Sequence, residues 1–208
     1  MNFIEEIEKA YYMVHNNLAY LPERYCFWKK RSIDGKVISK TLSGDYRPIF
    51  CFVRNPSLRN NLAELRMCLD YHHSLYRLHK PGLIFGWQHK LVLCQITASI
   101  YEGLLFDLFE YQVKSCPKNS VLNFCVKQKL TDNRLGFGAL IEIFFQTHQI
   151  NEKWYNYLIK LKHVRDTVHP KSLNNPRASF KENIIVRGSV GTLIKNLDSF
   201  IKNIKKKY

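Results

Sequence analysis

The chain has 208 residues, enough for one domain, and 46% of them are hydrophobic, which is enough to bury a core and excludes global disorder. Lysine and arginine number 32 against 17 aspartate and glutamate, so the formal net charge is +15. That excess indicates an anionic partner, with nucleic acid expected ahead of a membrane surface. No apolar run reaches the ~20 residues that a membrane span needs, so no membrane contact is predicted.

The positive charge is concentrated toward two parts of the chain. Residues 153–208 carry 13 lysine and arginine residues against three acidic ones, and residues 20–60 carry nine against three. Two basic segments around a nearly neutral middle predict a localised surface for an anion.

The cysteines indicate the compartment. None of the six forms a C-x-x-C pair, and no histidine lies beside a cysteine pair at zinc-like spacing. Free thiols, no metal and no cofactor are therefore expected, in a reducing, cytoplasmic compartment. Glu5, Glu6 and Glu8 argue against a signal peptide.

The first third of the chain mixes helical and extended patterns. Apolar spacing predicts an amphipathic helix over 2–18. Residues 21–56 are rich in glycine and proline, Asp34-Gly35 is a hairpin signal, and 49–53 could form another short strand. We interpret 21–56 as a small β-containing insertion on a helical body. Ser57 is the expected cap of a helix that continues to 79.

The rest of the chain reads as helices with short crossings. Helices are predicted over 87–113, which is apolar enough to be central, over 120–130, over 136–146, from a cap at Asn151 to about 168, and over 189–205. Residues 172–179 read as a loop, 184–186 as extended chain, and Lys205, Lys206 and Lys207 as a frayed tail. The fold class is mainly α, a helical bundle in a single domain, 1–208, with its core in 87–205.

One segment combines spacing and charge in a way that suggests chemistry. Arg165 and His169 stand four residues apart, on one face of a helix, and Pro170 predicts that the helix ends there. The guanidinium can hold a phosphate, and the imidazole can move a proton near neutral pH. Taken alone, the pair could equally be surface groups at a helix end, where a charged histidine is favourable.

The segment 154–170 resembles the last core helix of the HEPN superfamily, whose signature is an arginine, a polar neighbour, four to six residues and a histidine. Arg165, Asp166 and His169 correspond to these positions, although only three residues separate Arg165 from His169 here. The segment 96–109, with Ile100-Tyr101-Glu102-Gly103, resembles the long helix that pairs with the motif helix in that family. Residues 135–151 resemble the helix and turn that lead into it. The resemblance covers roughly 87–170.

The resemblance implies a helical bundle that dimerises and, in many members, a metal-independent endoribonuclease. In that case Arg165 would hold the scissile phosphate, His169 would act as general base or acid, and Asp166 would orient a neighbour or complete the site across a dimer. The family also implies a host-defence or toxin–antitoxin context and a possible cognate protein partner. The alternative is a non-catalytic HEPN-like module that binds RNA, a nucleotide or a protein. A basic helical DNA-binding protein is a third option, without a recognition-helix signature.

Other side chains could support the site or be ordinary surface groups. Glu102 could pair with Arg165 or His169 across the bundle, or be an exposed position. The basic side chains Lys160, Lys162, His163 and Lys171 could contact an RNA backbone, or form a solvated basic face. Arg66 precedes His72 and His73 at the literal motif spacing, but we interpret it as part of a solvated helix face with chance spacing.

Overall fold

The computed structural model describes residues 46–79, 83–115, 121, 135–166 and 189–208, together with the strand residues 32–33 and 36–37. In this part the chain is mainly helical, as predicted. The helices are α1 (Pro56–His79), α2 (Leu83–Ser115), α3 (Phe137–Gln146), α4 (Glu152–Asp166) and α5 (Val190–Lys205). The predictions for 2–18, 172–179 and 184–186, and nearly all of the helix predicted over 120–130, lie outside the described residues.

Little of the predicted β-containing insertion can be compared with the structure. Strand β1 (Ser32–Ile33) pairs with β2 (Lys36–Val37) in antiparallel register, with Ser32 opposite Val37. The prediction of a strand over 49–53 is wrong, because Arg47–Phe50 form a 3₁₀ helix. Pro48 stands in its first turn, where its fixed φ suits a helical start and its missing N–H is not needed.

Helix α1 begins two residues earlier than predicted. The side-chain oxygen of Asn55 accepts hydrogen bonds from the backbone N–H groups of Ser57 (3.0 Å) and Leu58 (3.1 Å), so Asn55 is the N-cap and Ser57 is not. Pro56 then occupies the first helical position, where a proline costs nothing. The backbone N–H groups of Arg54 and Asn55 donate in turn to the buried carboxylate of Asp107 on α2.

Helix α2 is the centre of the bundle, as its apolar sequence predicts, and it packs against each of the other four helices. The closest approach to α1 is at Gly103. A Cβ atom there would lie 3.0 Å from Leu62 Cδ2 and 3.3 Å from Leu58 Cδ1, so the glycine allows the two helices to meet. Tyr101, two positions before Gly103 and fully buried, packs edge-on against Phe200 of α5 at a centroid distance of 4.7 Å.

By length and composition alone, helix α2 is also long and apolar enough to cross a membrane. The stretch 88–114 has a mean hydropathy of 1.4, and 56% of its apolar window is buried inside the protein. The expectation that no segment is long enough is therefore wrong by this test. A core helix of a bundle passes it in the same way, so the test is weak evidence for a membrane.

Helices α3 and α4 are joined by a tight turn. The N–H groups of His148 and Gln149 donate to the carbonyls of Phe145 (2.9 Å) and Phe144 (2.7 Å), which is the Schellman motif at the end of α3. Asn151 then caps α4, as predicted, because its side-chain oxygen accepts from the N–H of Trp154 at 3.0 Å.

Helix α5 and the residues after it form an anchored C-terminal segment. Ser189 caps α5 by accepting from the N–H of Thr192, in agreement with the predicted start. The prediction of a frayed tail is wrong. Lys205 belongs to α5, Lys207 donates to Gln149 Oε1 at 3.2 Å, and the Tyr208 hydroxyl donates to Asp107 Oδ2 at 2.6 Å. The Tyr208 ring also stacks on Tyr111 of α2. Burial and this carboxylate raise the pKa of Tyr208 well above its usual range.

Candidate functional site

Arg165 lies in the last turn of α4, where three helices meet. The turn is oriented by Leu158, Leu161 and Val164, which are buried against the bundle core. Arg165 stands at the edge of this apolar stripe, so its side chain can run along the core and reach the surface. Its side chain remains 36% exposed.

The guanidinium of Arg165 is held from two sides. Its Nη1 atom lies 2.8 Å from Oε2 of Glu102 on α2, whose side chain is 28% exposed. Its Cζ atom lies 5.9 Å from the centre of the Phe137 ring, in the first turn of α3. The ion pair and the cation–π contact together fix the orientation of the guanidinium. The structure thus contains the expected contact between Glu102 and the motif helix.

Asp166 forms a second ion pair beside the first. Its carboxylate binds the ammonium of Lys162, one turn earlier on α4. The aliphatic part of Lys162 passes over Gly138 of α3, where a Cβ atom would lie only 2.7 Å from Lys162 Cε. A glycine at 138 therefore leaves room for this side chain between the two helices.

The local charges at this site balance. Arg165 is paired with Glu102 and Lys162 with Asp166, so these four side chains sum to zero. A phosphate that approaches Arg165 gains hydrogen-bond donors in a fixed orientation rather than a strongly positive field. The guanidinium has five N–H donors, and one carboxylate oxygen does not use them all.

The predicted RNA contacts divide between two faces of α4. At about 100° per residue, Lys162 lies about 60° from Arg165 around the helix, whereas Lys160 and His163 lie about 140° and 160° away. Lys160 and His163 are exposed on that far face. The structure therefore brings Lys162 to the side of Arg165 and does not bring Lys160 or His163 there. His169 and Lys171 lie outside the described residues.

Arg66 is buried, so its interpretation as part of a solvated helix face is wrong. Arg66 is only 7% exposed. Its Nη1 atom lies 2.7 Å from Asp198 Oδ1 on α5, and its Nη2 atom lies 3.4 Å from Asp70 Oδ1, one turn along α1. The Tyr46 hydroxyl donates to the other oxygen of Asp70 at 2.9 Å. Arg66 thus joins α1 to α5, because both terminal nitrogens of its guanidinium bind carboxylates.

Two contributors to the site were not found by sequence reasoning. Phe137 lies under the guanidinium, and Gly138 leaves space for Lys162. Their signal is the Gly136-Phe137-Gly138 triplet, which suggests only an incomplete phosphate loop when it is read alone. Among the described residues, no group of three or more His, Cys, Asp or Glu side chains could hold a metal ion.

Comparisons with known proteins do not add a family. No protein-family model matches the chain, and searches of curated proteins and of solved structures found no match.

Proposed function

We propose that the protein is a HEPN-like helical bundle that acts on RNA, as a metal-independent endoribonuclease and as a homodimer. The observation that carries the proposal is the Arg165–Glu102 pair. A carboxylate from the central helix orients an arginine that stands four residues before a histidine. The net charge of +15 supports an anionic substrate.

The reaction follows from the chemistry of the two side chains. The imidazole of His169 takes the proton of an RNA 2′-hydroxyl, and the 2′-oxygen attacks the adjacent phosphorus. The bond from phosphorus to the 5′-oxygen breaks, and the leaving oxygen takes a proton from a protonated imidazole or from water. Arg165 donates hydrogen bonds to the phosphate oxygens as charge develops on them. The products are a 2′,3′-cyclic phosphate and a free 5′-hydroxyl.

The ion pair has a defined role in this scheme. Glu102 binds one side of the guanidinium and leaves the remaining N–H donors for the phosphate, so it is a positioning residue. Asp166 holds Lys162 beside the same face of α4, where the ammonium could contact a neighbouring phosphate. The proposed context is host defence or a toxin–antitoxin pair with a cognate protein partner.

The test is cleavage of labelled single-stranded RNA in the presence of EDTA. Wild-type protein should produce cyclic-phosphate ends, and His169→Ala and Arg165→Ala should lose about a hundredfold or more in rate. Lys153→Ala is the charge-matched control, because Lys153 is exposed near the opposite end of α4. RNA with a 2′-deoxy nucleotide at the cleavage position should remain intact.

A second function belongs to a different class and is tested in the same samples. The three-residue spacing between Arg165 and His169 and the balanced charges around Arg165 favour a non-catalytic module that binds RNA, a nucleotide or a protein. RNA that stays uncut by wild-type protein across varied sequences, with binding retained, would reject the enzyme and support this alternative.

A further inference from the structure

A cleft lies at the other end of α4 from Arg165, between the α3–α4 turn and the last turns of α5. Its volume is about 460 Å³. Trp154, which lines it, precedes Arg165 by eleven residues, so the two sites are about 16 Å apart along the helix. The Arg165 site and the cleft share no residue.

The cleft combines an apolar floor with polar and basic walls. Trp154 contributes a half-buried aromatic ring, and the buried Phe200 packs edge-on against it at a centroid distance of 5.0 Å. Lys206, Lys207 and His148 contribute basic groups, and three amide side chains, Asn203 among them, contribute donors and acceptors. Among the described residues that line it, none is a carboxylate. This composition suits a ligand with a planar ring and an anionic group.

The backbone at His148 supports a role for the cleft. His148 has φ of 56°, in the left-handed region, at the Schellman position where glycine is usual. A side chain there costs backbone energy that glycine avoids. The histidine is exposed at the cleft, so the cost is not offset by burial of its ring. A residue with a strained backbone at a ligand-sized cleft points to binding.

We propose that this cleft binds a nucleotide, with the base against the half-buried Trp154 ring and the phosphate between Lys206 and His148. Stacking on an aromatic floor accepts any base, and the amides can bond to the base edges. The nucleotide can be free in solution or one residue of an RNA chain, since both present the same groups. The proposal is separate from cleavage at Arg165, because it concerns binding at other residues.

Adjacent lysines provide a matched pair of variants. Lys205 and Lys206 are both exposed near the end of α5, but only Lys206 lines the cleft. Lys205→Glu and Lys206→Glu make the same change in net charge one residue apart. If overall charge holds the ligand, both substitutions lower its affinity equally. If the ligand lies in the cleft, only Lys206→Glu lowers its affinity.

The experiment measures binding of adenosine 5′-monophosphate, adenosine, inorganic phosphate and a short single-stranded RNA by calorimetry, with thermal melts to check folding. The monophosphate should bind more tightly than adenosine or phosphate. Lys206→Glu should weaken it at least about tenfold, the loss of one charged contact, and Lys205→Glu by less than about twofold. His148→Gly should also weaken it.

The outcomes separate the sources and the two proposals. If Lys206→Glu weakens binding of the monophosphate, the cleft is a free-nucleotide site. If it weakens binding of RNA and the monophosphate does not bind, the cleft holds one residue of an RNA chain. Equal losses in the two lysine variants, or no binding of either probe by wild-type protein, overturns the cleft proposal. Uncut RNA in the EDTA assay rejects cleavage at Arg165 and leaves a Lys206-specific loss of binding to support the cleft by itself.

Discussion

Replacing Glu102 with glutamine distinguishes a pair that holds helices together from one that orients a functional arginine. The carboxylate lies 2.8 Å from Arg165 Nη1, and the two side chains are 28% and 36% exposed. Glutamine has the same length and keeps an acceptor oxygen, so it removes the charge with little change of shape. Both readings predict some loss of stability, but only the functional one predicts a large loss of activity.

The stability cost follows from the exposure of the pair. Exposed ion pairs contribute about 0.2–1 kcal/mol, because water and salt screen them and both side chains lose freedom. Partial burial places this pair near the upper end, so Glu102→Gln should lower the free energy of unfolding by about 1 kcal/mol. The amide still accepts a hydrogen bond, which limits the loss.

The cost to activity should be larger. A guanidinium that is no longer fixed by a carboxylate adopts other orientations, and loss of a positioning partner commonly costs about tenfold to a hundredfold in activity. That corresponds to about 1.4–2.7 kcal/mol in the activation barrier. The rate of RNA cleavage in EDTA, measured per folded molecule, should fall by this factor in Glu102→Gln.

Glu110 provides the matched control on the same helix. Its carboxylate pairs with Lys114 at 2.9 Å, two turns beyond Glu102 and away from Arg165. Glu110→Gln should cost less than about 0.5 kcal/mol in urea unfolding and leave cleavage unchanged. If Glu102→Gln loses stability while cleaving RNA at the wild-type rate, or if both variants lose activity equally, the positioning role is wrong.

Three further predictions concern stability. Arg66→Ala leaves two carboxylates without their shared cation. Because Asp198 is about half exposed, the free energy of unfolding in urea should fall by about 2–3 kcal/mol, below the full cost of breaking a buried pair. A fall of less than about 1 kcal/mol would contradict the bridging role. His148→Gly should raise the unfolding free energy by about 1 kcal/mol by relieving the left-handed backbone, and a destabilised variant would argue against strain. Burial and the neighbouring His89 lower the pKa of His72, so folded His72 binds fewer protons than unfolded His72 as the pH falls below about 6.5. Its stabilising contribution is therefore complete above that pH and declines below it, and urea unfolding from about pH 8 to about pH 5 should show less acid sensitivity in His72→Gln than in the wild type.

Helices were predictable where local signals and long apolar stripes agree. Ser189 and Asn151 are caps that satisfy the first N–H groups of α5 and α4 through their own side chains, so their position follows from a few neighbouring residues. The centrality of α2 follows from its apolar composition. At Asn55 the same local chemistry is present, and Pro56 suits the first helical position, so the observed start of α1 also follows from neighbouring residues although Ser57 was the predicted cap.

The side chains that join distant segments were not predictable in the same way. Arg66 is buried because Asp198 comes to it from 132 residues further along the chain. Tyr208 is anchored because Asp107 of α2 accepts its hydroxyl. Neither partner has a sequence signal that points to the other, so each residue by itself looks like a surface group. Glu102 was easier, since a carboxylate inside an apolar helix needs a partner and the resemblance suggested which helix supplies it.

The balanced charges around Arg165 imply that different side chains account for RNA affinity and for RNA cleavage. Four side chains that sum to zero add little long-range field, so most of the affinity for RNA must come from unbalanced lysines elsewhere on a chain of net charge +15. Arg165→Ala should then reduce cleavage while leaving RNA affinity within about threefold, because one contact among many is lost. If Arg165→Ala instead abolishes RNA binding, Arg165 is a main binding contact, and the assignment of attraction to other lysines is wrong.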